Sequence, residues 1–203
     1  VAIQRLLMNL PNKLTCSRFV LTAAFLAAMF IEFYGNKTVA LMLFLLASIT
    51  DYFDGAIARR DGLVTNFGIL MDPLVDKILV CSAFIAFVGQ ALIPAWMVVV
   101  IVTRELAITG LRLLAASKNV VLAAERYGKH KTLWQMLAIV AVLMNSSHAD
   151  WPGPLNAAVS FPIAGSPWIF WFAEASKWLA VAFTAVSGVF YLWRNRHLYL
   201  QDL

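Results

Sequence analysis

Six predominantly apolar stretches, at about 14–34, 38–58, 68–87, 93–115, 132–145 and 167–193, set the limits on what this chain can fold into. At about 1.5 Å of rise per residue, a helix of roughly 20 residues crosses a hydrocarbon core of about 30 Å. Most of the stretches reach that length; 132–145 needs some extension. Only 13% of the residues are charged and 62% are hydrophobic, whereas soluble domains average about 25% and 45–50%. A water-soluble globule is therefore excluded. Strand-type alternation, β-barrel spacing, heptads and tandem repeats are all absent. The sequence predicts an all-α integral membrane protein with six transmembrane helices in one domain, 1–203. Its first segment, 1–12, reads as amphipathic and juxtamembrane, with no small-residue cleavage site to mark a secretory signal.

The net charge of +5 would suit a nucleic-acid partner, but the basic residues are distributed as topology marks. Twelve of the sixteen Lys and Arg, among them Arg5, Arg18, Arg59, Arg112, Lys118, Lys129 and Lys131, fall in segments on one side. The other side holds only Lys37, while Lys77, Arg104 and Lys177 lie within the apolar stretches. By the positive-inside rule both termini are cytoplasmic, and no nucleic-acid partner is expected. Cys16 and Cys81 sit far apart in apolar surroundings and read as packing residues, and the histidines are scattered. The outer connection, 146–166, reads as a surface loop.

Against this background four carboxylates stand out. Asp51, Asp54, Asp72 and Asp76 fall in the second and third spans, where a charge near the bilayer centre costs at least about 2.5–3.5 kcal/mol. Helical spacing gathers them, because Asp51, Asp54 and Ala58 share one face and Gly68, Asp72 and Asp76 share another. Asp51 and Asp76 each lie eight residues from the inner end of their span, about 12 Å deep. Clustered carboxylates repel one another unless a cation neutralises them. An all-oxygen set suits Mg²⁺, Mn²⁺ or Ca²⁺ rather than zinc or copper. Private ion pairs with Arg59, Lys77 or Arg104 would not explain Gly55 and Gly68, which suit the close approach of a nucleotide. A proton-coupled transporter would place its carboxylates at the midplane with access from both faces, and these cluster toward one side.

The pattern Asp51, Asp54, Gly55, Ala58, Arg59, Gly68, Asp72 and Asp76 resembles the signature of the CDP-alcohol phosphatidyltransferases at all eight fixed positions, over 26 residues. The resemblance implies transfer of a phosphatidyl group from a CDP-activated lipid to an alcohol, with release of CMP. It implies two divalent cations, Mg²⁺ or Mn²⁺, at a six-helix membrane site. It makes Asp51, Asp54 and Asp72 metal ligands, Asp76 a ligand of the second metal and the base, and Gly55, Ala58, Arg59 and Gly68 the surroundings of the cytidine diphosphate. Two-metal sites of this kind are suited to in-line displacement at phosphorus.

Further segments are similar to the phosphatidylglycerophosphate synthase branch of that family: Asn9 to Arg18, Thr103 to Arg112, and Gly128 to Thr132 with Gln135. This likeness implies CDP-diacylglycerol as donor, sn-glycerol 3-phosphate as acceptor, a homodimer, and residence in a bacterial cytoplasmic membrane among its lipids. Phosphatidylglycerol, as in cardiolipin synthesis, and an inositol phosphate are the alternative acceptors. Arg112, Lys129 and Lys131 sit near the inner end, where an acceptor phosphate would arrive, with Arg104 two turns deeper. Two other readings stay open: an ion pair with an intramembrane carboxylate for Arg104, and a purely topological role for Lys129 and Lys131. Glu32 and the pair Glu174 and Lys177, at i, i+3 spacing, read as structural.

Overall fold

The computed structural model describes residues 10–61, 66–118, 120, 122 and 127–200, apart from the side chains of 10–16, 51–61, 66–76 and 127–130. The chain is built almost wholly of helix: α1 Leu10–Phe30, α2 Asn36–Asp61, α3 Asn66–Gly89, α4 Ala95–Ser117, α5 Tyr127–Ser147, α6 Gly153–Val159, α7 Trp168–Arg194 and α8 His197–Leu200. Among the described residues α7, 27 residues long, is long and apolar enough by itself to cross a membrane. Shorter apolar helical runs cover Ser17–Phe30, Asn36–Thr50 and Lys77–Gly89.

Element ends depart from the sequence reading by a few residues throughout, and in three places the difference has a physical reason. Helix α1 opens at Leu10, so residues 10–12 of the expected surface segment belong to it, and 1–9 lie outside the described residues. Pro11 is tolerated there because first-turn N–H groups have no intrahelical acceptor. Helix α5 begins at Tyr127, five residues before the apolar stretch, which supplies the extension that stretch needed. The connection before α7 holds α6 and a small antiparallel hairpin, β1 Pro162–Ile163 and β2 Ser166–Pro167. Its two turn residues, Ala164 and Gly165, have φ of 51° and 83°, the left-handed pair that a tight primed turn requires.

Helix α5 packs on α7 and α2, α1 on α2 and α3, and α3 also on α4 and α5, while α4 lies along α7. Phe25, Met29, Phe44, Phe84, Phe87, Ile101, Ile139 and Leu143 fill the main core. A smaller cluster of Ile108, Leu111, Ala115, Tyr191 and Leu198 closes the far end of α4 and α7. Facing outward are large apolar side chains: Val99, Leu106 and Leu113 on α4, and Val186, Val189 and Trp193 on α7. Facing inward, by contrast, are Arg18, Glu105, Lys131, Gln135 and Lys177. This is the inverse of a water-soluble bundle, whose charges face water, and it is the pattern a lipid solvent demands.

The end of the bundle where α1 leads into α2 and α3 into α4 is tied by side chains. Lys37 Nζ donates to Gln90 Oε1 at 2.7 Å and to the Met29 carbonyl at 3.4 Å, and Gln90 Nε2 donates to the same carbonyl at 3.0 Å. Trp151 Nε1 reaches Thr38 Oγ1 at 3.1 Å, and Lys177 Nζ reaches the Leu92 carbonyl at 3.3 Å. Glu174 and Lys177 pair at 2.5 Å, as their spacing predicted.

Candidate active site

The signature residues fall on two consecutive stretches of helix, one at the end of α2 and one at the start of α3. Asp51, Asp54, Gly55, Ala58 and Arg59 occupy the last turns of α2, and Gly68, Asp72 and Asp76 the first turns of α3. Both stretches are helical, so the i, i+3 and i, i+4 spacings put each set on one helix face. The side chains of these eight residues lie outside the described residues, as do those of Lys129 and its neighbours at the start of α5. The donor chemistry fits a divalent cation of the hard, oxygen-seeking kind, since four carboxylates on one turn-spaced pattern offer oxygen only. Among the described residues no three His, Cys, Asp or Glu side chains come together.

Beside these stretches the described side chains form a buried polar cluster across α3, α4, α5 and α7. Lys77, the residue after Asp76, donates to Thr109 Oγ1 at 2.5 Å, and Thr109 Oγ1 donates to the Glu105 carbonyl one turn back at 2.7 Å. Glu105 is 7% exposed and Lys131 6%, and Lys131 Nζ donates to Glu105 Oε1. The same carboxylate oxygen accepts from Arg104 Nη1 at 3.3 Å. Gln135, one turn after Lys131, donates to Thr184 Oγ1 of α7 at 3.0 Å.

The electrostatics of this cluster are unequal. Two cations, Arg104 and Lys131, share one carboxylate among the described residues, and a third, Lys77, is joined to the same turn of α4 through Thr109. A buried ion pair survives only when its partners neutralise each other and its remaining donors are satisfied. Arg104 Nε is buried and bonds none of the described residues. The cluster thus carries positive charge and spare donors next to the helical turns that carry the four aspartates. It is suited to hold an anion beside those turns.

The sequence-predicted acceptor residues part company here. Arg104 and Lys131 meet at Glu105, which realises the ion-pair reading for Arg104 and places Lys131 inside the bundle. Arg112 is exposed and leans on α7, where its Nε lies 3.4 Å from the Tyr191 hydroxyl and its guanidinium carbon 5.8 Å from the ring centre. Sequence reasoning took Arg18 as a topology mark and Lys77 as a possible ion-pair partner of an aspartate; Arg18 is 1% exposed in α1 and Lys77 turns to Thr109. The signal for both was a lone cation inside an apolar helical run.

Comparison with known proteins places these observations. The CDP-alcohol phosphatidyltransferase family model matches residues 8–186. The CDP-diacylglycerol–glycerol-3-phosphate 3-phosphatidyltransferase of Bacillus subtilis is 41% identical over 201 residues, covering 93% of this chain and 96% of that protein. A probable phosphatidylglycerophosphate synthase of Mycobacterium tuberculosis is 37% identical over 192 residues, covering 92% of this chain and 81% of that one. The CDP-diacylglycerol–glycerol-3-phosphate 3-phosphatidyltransferase of Rickettsia felis is 32% identical over 183 residues, or 90% and 93% of the two chains.

Proposed function

Because the chain belongs to the CDP-alcohol phosphatidyltransferase family, we propose that it transfers the phosphatidyl group of CDP-diacylglycerol to sn-glycerol 3-phosphate, releasing CMP. The observation that carries the acceptor is the gathering of three cations, buried Lys131 with part-buried Arg104 and Lys77, around Glu105 and Thr109, next to the turns that bear the aspartates. A neutral alcohol gives these cations nothing to bind. The names of the relatives, conserved in meaning from Bacillus to Rickettsia, support the same acceptor.

In this reading the primary hydroxyl oxygen of the acceptor attacks the phosphorus that carries the diacylglycerol. A bond from that phosphorus to the bridging oxygen breaks, and CMP leaves with the electron pair. Asp76 takes the hydroxyl proton. Asp51, Asp54, Asp72 and Asp76 hold two divalent cations, Mg²⁺ or Mn²⁺, which when bound neutralise the pyrophosphate and favour the in-line displacement. Gly55, Ala58, Arg59 and Gly68 line the nucleotide, the glycines leaving room for it against the backbone. Arg112, Lys129 and Lys131 orient the acceptor's phosphate, with Arg104 behind them, so that Glu105 shares Lys131 with the substrate.

The long helices α1–α5 and α7 are the six spans, and both termini are cytoplasmic. The outward apolar side chains and the concentration of basic residues on one side support this. The whole chain acts as one membrane domain in the bacterial cytoplasmic membrane, as a homodimer. The deciding experiment is purified protein with CDP-diacylglycerol and a panel of glycerol 3-phosphate, phosphatidylglycerol, inositol phosphate and glycerol. CMP release and a phosphatidylglycerophosphate product with glycerol 3-phosphate alone are expected. A preference for any other alcohol overturns the acceptor.

A further inference from the structure

Helix α7 lies outside the signature, yet it meets the polar residues of α4 and α5 at three successive points, two of them the acceptor-side cations Arg104 and Arg112. Thr184 accepts from Gln135, and Tyr191 accepts from Arg112. Between them stands Gly188, where the stem of Arg104 from α4 crosses α7. A Cβ added at Gly188 would stand 2.7 Å from Arg104 Cγ and 3.6 Å from Arg104 Cβ. Carbon atoms pack at about 3.5–4.0 Å, so the nearer contact is impossible as it stands. The atoms concerned are the root of the arginine side chain rather than its flexible tip. A larger residue would therefore force Arg104 into another rotamer or α4 away from α7.

Glycine is a poor helix former, and its place in the middle of α7 calls for a reason of this kind. Its neighbours on the same buried seam, Ala180, Thr184 and Ser187, all carry a Cβ. Only the position crossed by the arginine stem lacks one. Arg104 in turn shares Glu105 with Lys131, so its placement is passed to α5. We propose that Gly188 is a positioning residue for the transfer reaction: its missing Cβ seats Arg104 against α7 and so aims the Arg104–Glu105–Lys131 cluster at the acceptor's phosphate. This rests on the reading above that these cations face the acceptor.

The test combines Michaelis kinetics with thermal unfolding of the detergent-purified full chain, for Gly188→Ala, Arg104→Ala and the double variant. Gly188→Ala is expected to raise KM for glycerol 3-phosphate about tenfold while KM for CDP-diacylglycerol stays within about twofold. Its Tm falls by several degrees, and in the Arg104→Ala background that fall disappears, because the clashing Cγ is gone. A wild-type acceptor KM in Gly188→Ala, an equal rise in both KM values, or a Tm loss that persists without the Arg104 side chain overturns the proposal. If Gly188→Ala does not fold, the double variant must fold; its failure is equally fatal. Should the wild type use another alcohol in place of glycerol 3-phosphate, the acceptor reading fails by itself, and the same cycle measured with that alcohol decides the role of Gly188.

Discussion

Glu105 accepts from two cations at one oxygen while almost wholly removed from solvent. Removing one partner of a buried pair costs about 3–5 kcal/mol, because the other charge is left uncompensated. Glu105→Gln, which keeps the shape, should therefore lower Tm markedly, and Lys131→Met added to it should recover much of the loss; thermal unfolding of both variants checks this. Asp72→Ala should reduce metal-supported turnover by about three orders of magnitude or more, as loss of a cation from an in-line displacement site does. Near-normal CMP release from that variant would defeat the two-cation reading. Arg112→Ala is expected to lower kcat/KM for glycerol 3-phosphate by roughly ten- to a hundredfold, the value of a charge-assisted bond of about 1.5–3 kcal/mol. Arg112→Lys should recover only part, since it keeps the charge without the planar fork. At this scale the shared helix faces of the aspartates were legible, because their spacing matches the helical turn. The meeting of Glu105 with Lys131, 26 residues further on, was not, because a single sequence carries no mark of which helix faces which.

At the scale of elements, α7 is the strut on which the polar cluster leans. Gln135 is buried on α5, and its amide has Thr184 of α7 as acceptor. Thr184→Val keeps the volume and leaves that donor unsatisfied, at a cost of about 1–3 kcal/mol. A drop in Tm of roughly 2–4 °C per kcal/mol should follow, and Thr184→Ser, which keeps the hydroxyl, should largely escape it. Helix positions were legible wherever hydropathy marked them, but their ends were not. The first turn of α5 is Tyr127, Gly128, Lys129 and His130, polar residues that hydropathy reads as loop although the helix has already begun. Pro11 reads as a breaker but is harmless at the start of α1. The hairpin before α7 escaped notice because Ala164 adopts positive φ where sequence reasoning looks for Asn or Asp. The sequence reading also found nothing diagnostic in α7, since a glycine means little until the arginine that crosses it is in view.

For the whole molecule the expected arrangement is six crossings with both ends inside. Single cysteines at Asn36, Gly89 and Asn156, in a chain with Cys16 and Cys81 replaced, should react with a membrane-impermeant maleimide added from outside intact cells. Labelling of Asn36 only after the cytoplasmic face is opened would reverse the topology. The ties among Lys37, Gln90, the Met29 carbonyl, Trp151 and Thr38 all lie at the end of the bundle farthest from the aspartates. These bonds join α1, α2, the end of α3 and the connection before α7 through polar atoms rather than apolar packing, so a detergent or lipid that loosens the apolar seams leaves this end cross-braced.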